Sequence, residues 1–152
     1  MNKIRSRRTF VKAGAGIAIS VLMQPSALLA QSDSLAAVVR EYAGSAPLRE
    51  GRVKINIAPL VDNGNSVPIE VTVDSPMTAA DHVVGIALFN EKNPQRDVVK
   101  FTLGPRYGKA DVSTRIRLAT TQKLVAVAQM SDGTFWSHTA DVIVTLAACI
   151  ET

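Results

Sequence analysis

Val67-Pro68-Ile69-Glu70-Val71-Thr72-Val73 decides the fold, because its apolar side chains recur at every second position and so belong to one face of a β-strand. The same period holds upstream, where Val53, Ile55 and Ile57 alternate with Lys54 and Asn56, and the two runs are separated by the turn residues Asn63-Gly64-Asn65-Ser66. Further strands are predicted at Val84–Phe89, Val98–Leu103, Asp111–Leu118, Lys123–Met130 and Phe135–Leu146, which brings the total to about seven. Asn93-Pro94 and Gly104-Pro105 interrupt the middle runs where no helix could continue. Asp132-Gly133 between two β-rich runs predicts a two-residue type I′ hairpin. Only one segment has helical spacing: Leu35, Val38, Val39 and Tyr42 fall at i, i+3, i+4 and i+7, with Ser32, Asp33 and Ser34 as candidate caps and Gly44 as the stop. The expected fold is all-β, an antiparallel sandwich preceded by a short N-terminal helix.

The 152 residues suffice for one domain, and 47% hydrophobic content excludes a disordered chain. The net charge of +4 is unevenly placed. Lys3, Arg5, Arg7, Arg8 and Lys12 all lie in the first thirty residues, which hold no acid; without them twelve basic side chains face thirteen acidic ones. The basicity therefore belongs to a leader and gives no nucleic-acid footprint. Ser6-Arg7-Arg8-Thr9-Phe10-Val11-Lys12, the apolar run Ala13–Met23 and the small residue Ala30 have the layout of a twin-arginine export signal. The apolar run is shorter than the roughly 20 residues that span a bilayer. Residues 1–30 are accordingly expected to be a signal peptide and residues 31–152 the mature domain, destined for the periplasm with no stable membrane span.

The chain has a single cysteine, Cys149, three residues from its end. One thiol excludes an internal disulfide framework and a Cys-rich metal site. Two uses of the sulfur stay open at this point. A chain terminus that is not tied down presents its side chains to solvent, which suits an intermolecular bond or a reactive thiol. A free cysteine after a strand can equally be a small hydrophobe at the edge of the core, in a domain whose work is contact with a partner. Glu151 is close in sequence and no Lys or Arg is, so nothing local would lower the thiol below its reference pKa of about 8.5. A sluggish thiol fits a passenger handled by other enzymes better than a self-activated nucleophile. A thiol enzyme would in addition need a resolving cysteine or a neighbouring base.

The remaining candidates have plain structural explanations. His138 and Asp141 would point to opposite faces of a strand, so they make no catalytic pair, and no catalytic residue is assigned. Asp74, Asp81 and His82 lie in a Ser- and Pro-containing stretch whose side chains bond local backbone, and His82 and His138 show no ligand spacing with Cys149, so neither metal nor cofactor is expected. Phe135 and Trp136 point in opposite directions, one to the core and one to a subunit contact. Lys109, Arg115 and Arg117 read as a solvated face.

Three stretches carry a resemblance: Val71-Thr72-Val73-Asp74-Ser75-Pro76-Met77-Thr78-Ala79-Ala80-Asp81-His82, Val112-Ser113-Thr114-Arg115-Ile116-Arg117-Leu118, and Met130-Ser131-Asp132-Gly133-Thr134-Phe135-Trp136. With the leader and the terminal cysteine they make the chain similar to the sulfur-oxidation (Sox) carrier subunit of the SoxY family over essentially the whole mature region. The resemblance implies an immunoglobulin-like carrier domain that forms a heterodimer with a SoxZ-like subunit exported with it. It also implies that Cys149 holds thiosulfate-derived sulfur covalently while a haem enzyme, a sulfate-releasing enzyme and a sulfur-oxidising enzyme act on it in turn. The carrier arm would comprise Ala147, Ala148 and Ile150 around that cysteine. Here the sequence departs from the family pattern, which flanks the cysteine with glycines. Alanine keeps the arm thin but removes backbone freedom, and Ile150 is β-branched and stiffer.

Overall fold

A computed structural model describes residues 34–146 of the chain. The predicted leader, residues 1–30, and the arm residues Ala147, Ala148, Cys149 and Ile150 lie outside the described residues.

The helix α1 spans Leu35–Ala43. Of the three candidate caps Ser34 is the one used: its Oγ accepts a hydrogen bond from the Ala37 amide at 3.2 Å, which satisfies a donor that has no partner within the helix. Gly44 ends the helix with φ 65°, a conformation that costs glycine nothing. Val39 and Ala43 are buried, with Leu35, Val38 and Tyr42 packed beside them, so the apolar stripe read from the sequence is the docked face.

Among the described residues nine strands follow: β1 Leu48–Arg49, β2 Val53–Asn56, β3 Leu60–Val61, β4 Val67–Val73, β5 Val83–Asn90, β6 Asp97–Thr102, β7 Ala110–Ile116, β8 Gln122–Met130 and β9 Phe135–Val144, with a 3-10 turn at Pro105–Tyr107. All seven predicted strands are present, and β1 and β3 are additional. The strands form a two-sheet all-β sandwich with one short helix. The larger sheet runs β1-β9-β8-β5-β6 with β3 also on β9, and the smaller runs β2-β4-β7.

Two pairings depart from the antiparallel pattern of the sandwich. Both extra strands pair parallel with β9, Leu48 and Arg49 opposite Phe135 and Trp136, Leu60 and Val61 opposite Ile143 and Val144. The chain from β1 to β3 thus leaves the larger sheet, contributes β2 to the smaller one, and returns to the same edge of β9. In the gap His138 Nδ1 accepts the Ile55 amide at 3.3 Å, so this ring ties the two sheets together where, among the described residues, no strand covers β9. Two-residue strands are too short to show a period, which is why alternation did not reveal them.

Between the sheets lie Val53 and Ile55 of β2, Val67, Ile69, Val71 and Val73 of β4, and Ile86, Leu88, Leu124, Ala126, Ala128 and Val142 of the larger sheet. The small sheet obeys the expected alternation of inward apolar and outward polar residues. In β5 and β8 it fails, because α1 covers their other face: Ala87, Phe89, Val125 and Val127 are buried beneath the helix. A strand covered on both faces reads as a nearly continuous apolar run, as Val83–Asn90 does.

The β8–β9 hairpin is corrected. Gly133 has φ 80° but Asp132 has not entered the positive-φ region, so the loop lacks the second left-handed residue of a type I′ turn. Instead the Gly133 amide donates to Met130 O at 3.0 Å and the Met130 amide to Thr134 O at 2.9 Å, giving a three-residue loop. The Asp132 carboxylate accepts Thr134 Oγ1 at 2.6 Å and the Thr134 amide at 2.9 Å, which stabilises that alternative. The Thr134 hydroxyl, then its amide, hold the Asp132 carboxyl below its usual pKa. A carboxylate with a depressed folded-state pKa stabilises the hairpin above its unfolded pKa and stops doing so as pH falls through the folded value. A carbon-13 titration of the folded chain should place Asp132 below the ordinary aspartate midpoint, and Thr134→Ala should raise it; a midpoint unmoved by that substitution would contradict the assignment.

Candidate functional site

The C-terminal end of β9 is where the predicted arm begins, and it is held by three neighbouring segments. The Ile143 amide donates to Pro59 O at 2.8 Å and the Thr145 amide to Val61 O at 3.0 Å, continuing the β3 ladder past its end. The Thr145 hydroxyl donates to Asp62 O at 3.2 Å and lies 3.5 Å from Val61 O. Leu146 O accepts the Gly64 amide at 2.8 Å, while Gly64 O accepts Leu118 N at the same distance. On the other side the Val144 amide donates to Thr121 Oγ1 at 3.0 Å. The predicted turn Asn63-Gly64-Asn65-Ser66 therefore does more than connect strands, since Gly64 bridges Leu146, just past β9, to Leu118 at the exit of β7. Asn63 Oδ1 accepts the Asn65 amide at 2.9 Å, which shapes the loop around Gly64.

The fixed scaffold thus extends to Leu146, and Cys149 follows three residues later. Extended backbone covers about 3.3–3.6 Å per residue, so three residues of chain span at most about 10 Å. Around this root Leu60 and Ile143, opposite one another in register, are each 55% exposed, and Leu146 is 61% exposed. The sequence signalled the cysteine but not its anchorage: Thr145 and Asp62 are 83 positions apart, and no local pattern predicts that pairing.

The other candidates fall elsewhere and do different work. His138 is engaged with β2, whereas the Asp141 carboxylate is 2.7 Å from Lys123 Nζ on the exposed surface of β8, so the two form no pair. That contact, by side-chain hydrogen bond first, raises the pKa of Lys123. Asp81 meets Arg52 at 3.2 Å and 3.5 Å, and His82 Nδ1 lies 3.0 Å from Thr78 O within a turn tied by Asp81 and Thr78. Among the described residues no group of three or more His, Cys, Asp or Glu side chains is arranged to hold a metal ion. Phe135 is buried against Tyr42 with ring centroids 6.0 Å apart. Trp136 points the other way: it is half-buried, packs against the core between the sheets, and lies under the guanidinium groups of Arg49 at 5.8 Å and Arg52 at 5.4 Å. That basic-aromatic stack was not anticipated, because β1 and β9 are far apart in sequence. Lys109, Arg115 and Arg117 are exposed, as expected of a solvated face, and Arg115 reaches Ser66 Oγ at 3.3 Å.

No curated protein matches the chain. Among solved structures it is similar to the superoxide reductase (neelaredoxin) from Ignicoccus hospitalis, at 21% identity and TM-score 0.55, over 62% of this chain and 80% of that one. A putative superoxide reductase from Thermotoga maritima aligns at 20% identity and TM-score 0.53, over 64% of this chain and 87% of that one. The superoxide reductase from Nanoarchaeum equitans aligns at 13% identity and TM-score 0.53, over 63% of this chain and 100% of its own length. At such identities the likeness concerns the sandwich alone. The sulfur oxidation protein SoxY model, by contrast, matches residues 39–149, from inside α1 through the sandwich and the anchored root to the sole cysteine. The chain belongs to the SoxY family of sulfur oxidation proteins.

Proposed function

We propose that this protein is a periplasmic sulfur carrier, exported by its twin-arginine leader with a SoxZ-like partner, that holds thiosulfate-derived intermediates on Cys149 for enzymes acting in turn. The observation that carries the reading is the family match reaching residue 149, where the chain has its only thiol three residues beyond an anchored strand end. The reading needs no catalytic group on this chain. The Cys149 thiolate and thiosulfate join through a new S–S bond to give a cysteine S-thiosulfonate, and the two electrons released pass to the haem enzyme. Water then cleaves the S–SO3 bond, releasing sulfate and two protons and leaving a persulfide anion on the cysteine. That sulfur is oxidised further or passed on by the sulfur-oxidising partner. Because no basic residue neighbours the thiol in sequence, deprotonation falls to the cleft of the visiting enzyme.

Intact mass of the full chain with its partner subunit, recorded before and after incubation with thiosulfate and the haem enzyme, tests the proposal. A gain of one thiosulfate-derived group per chain is expected. A mass that stays constant, together with a folded protein whose thiol resists maleimide, would favour instead an interaction module with an incidental buried cysteine.

A further inference from the structure

We infer that Thr145 is a positioning residue for the carrier thiol: with Gly64 it clamps the last residues of the scaffold, and so fixes the length of chain on which the sulfur is presented. The inference rests on the carrier reading and adds to it the device that sets the reach of the arm. Thr145 is exposed and contributes nothing to the buried core, yet its amide and hydroxyl together engage two consecutive carbonyls, Val61 and Asp62, of the segment after β3. The next carbonyl, that of Leu146, is taken by Gly64, whose own carbonyl is locked to Leu118 at the exit of β7. A strand end in solvent ordinarily frays, so side-chain bonds spent on an exposed terminal residue need a use. Here they place the tether point. Without the hydroxyl bonds the Thr145 amide and the Leu146 carbonyl are held by main-chain bonds alone; whenever those open, the last anchors are Ile143 and Val144, and the chain between anchor and Cys149 lengthens from three residues, about 10 Å when extended, to five or six, about 20 Å. A sulfur spread through the larger volume occupies an enzyme cleft of fixed depth less often.

Thr145→Val removes both hydroxyl contacts at nearly constant shape, and Thr145→Ser retains them. In the full chain with its partner subunit, Thr145→Val should speed hydrogen exchange at the Gly64 amide about twofold to tenfold, the range set by one net hydrogen bond. Gly64 is far from the substitution in sequence, so its intrinsic exchange rate is unaffected. Sulfur loading from thiosulfate by the haem enzyme, at limiting carrier, should slow by a similar about twofold to tenfold. Alkylation of Cys149 by iodoacetamide should not change, because a small free reagent does not depend on reach, and Thr145→Ser should behave as the parent. Equal loading of Thr145→Val and parent would overturn the positioning role while leaving the carrier reading intact. A loss shared by Thr145→Ser, or one that follows a fall in folded protein, would assign the residue to stability and overturn it as well. If the parent chain takes up no sulfur at all, the carrier reading itself fails and the positioning role falls with it.

Discussion

Cys149→Ser should abolish the mass gain on incubation with thiosulfate and the partner enzymes, leaving no residual fraction, while the thermal transition of the protein stays where it was. The size of the effect follows from composition: there is one cysteine, so no second thiol can substitute. Serine preserves shape but cannot replace the sulfur, because its hydroxyl is not ionised near neutral pH and offers no sulfur with which to form an S–S bond. The unchanged transition follows from where the described cores lie. One is built between the sheets from residues 53 to 142, and the other beneath the helix from residues 39 to 135, so both described cores are assembled from residues that precede position 149. Retained loading in Cys149→Ser would show that the sulfur is attached elsewhere and end the carrier proposal. A large drop in melting temperature would show instead that the cysteine is part of the core.

The opposite pattern, a large loss of stability with chemistry preserved, is expected for Phe89→Ala. Phe89 is 1% exposed on the outer face of β5, with its ring 5.7 Å from that of Tyr42 and packed in the cluster formed by Val39, Ala43, Val125, Val127 and Phe135. Truncating a buried phenylalanine costs about 3–5 kcal/mol, against a total of about 5–15 kcal/mol for a domain. A helix of nine residues has no stability of its own in water, so α1 should detach first. Urea unfolding should show a much lower midpoint, and exchange at the α1 amides should accelerate more than at β4. Loading of Cys149 per folded molecule should change little, because the C-terminal end of β9, with β3 and the Gly64 loop, belongs to the other core or to the root. A stability loss under about 1 kcal/mol would mean that the helix is not held by this cluster, since the transfer of the ring alone exceeds that value.

These two substitutions separate what the sandwich does from what its tail does, and the same division shows in how legible each was. Strands β2 and β4 were readable because a period of two is a local property: Val67, Ile69, Val71 and Val73 must share a face whatever the rest of the chain does. The α1 stripe and its Ser34 and Gly44 ends were readable for the same reason, since capping and positive φ are settled within four residues. The hairpin shows the limit. Asp132-Gly133 announced a turn, but the Thr134 contacts with the Asp132 carboxylate selected a longer loop over the two-residue form.

From the amino acids alone came the all-β class, the place of the helix and the solitary thiol, because each depends on residues adjacent in the chain or on a count. Tertiary structure alone decided which strands share a sheet, the parallel return of β1 and β3 to β9, the bridging role of His138, the stack of Arg49 and Arg52 on Trp136, and the anchorage of Thr145 and Leu146. The physical reason is that the hydrogen bonds from the Ile55 amide to His138 Nδ1 and from the Thr145 hydroxyl to Asp62 O each join positions 83 residues apart. Backbone donors and acceptors are the same at every residue, so a side chain that will bond one of them leaves no mark in the partner segment until the fold brings the two together.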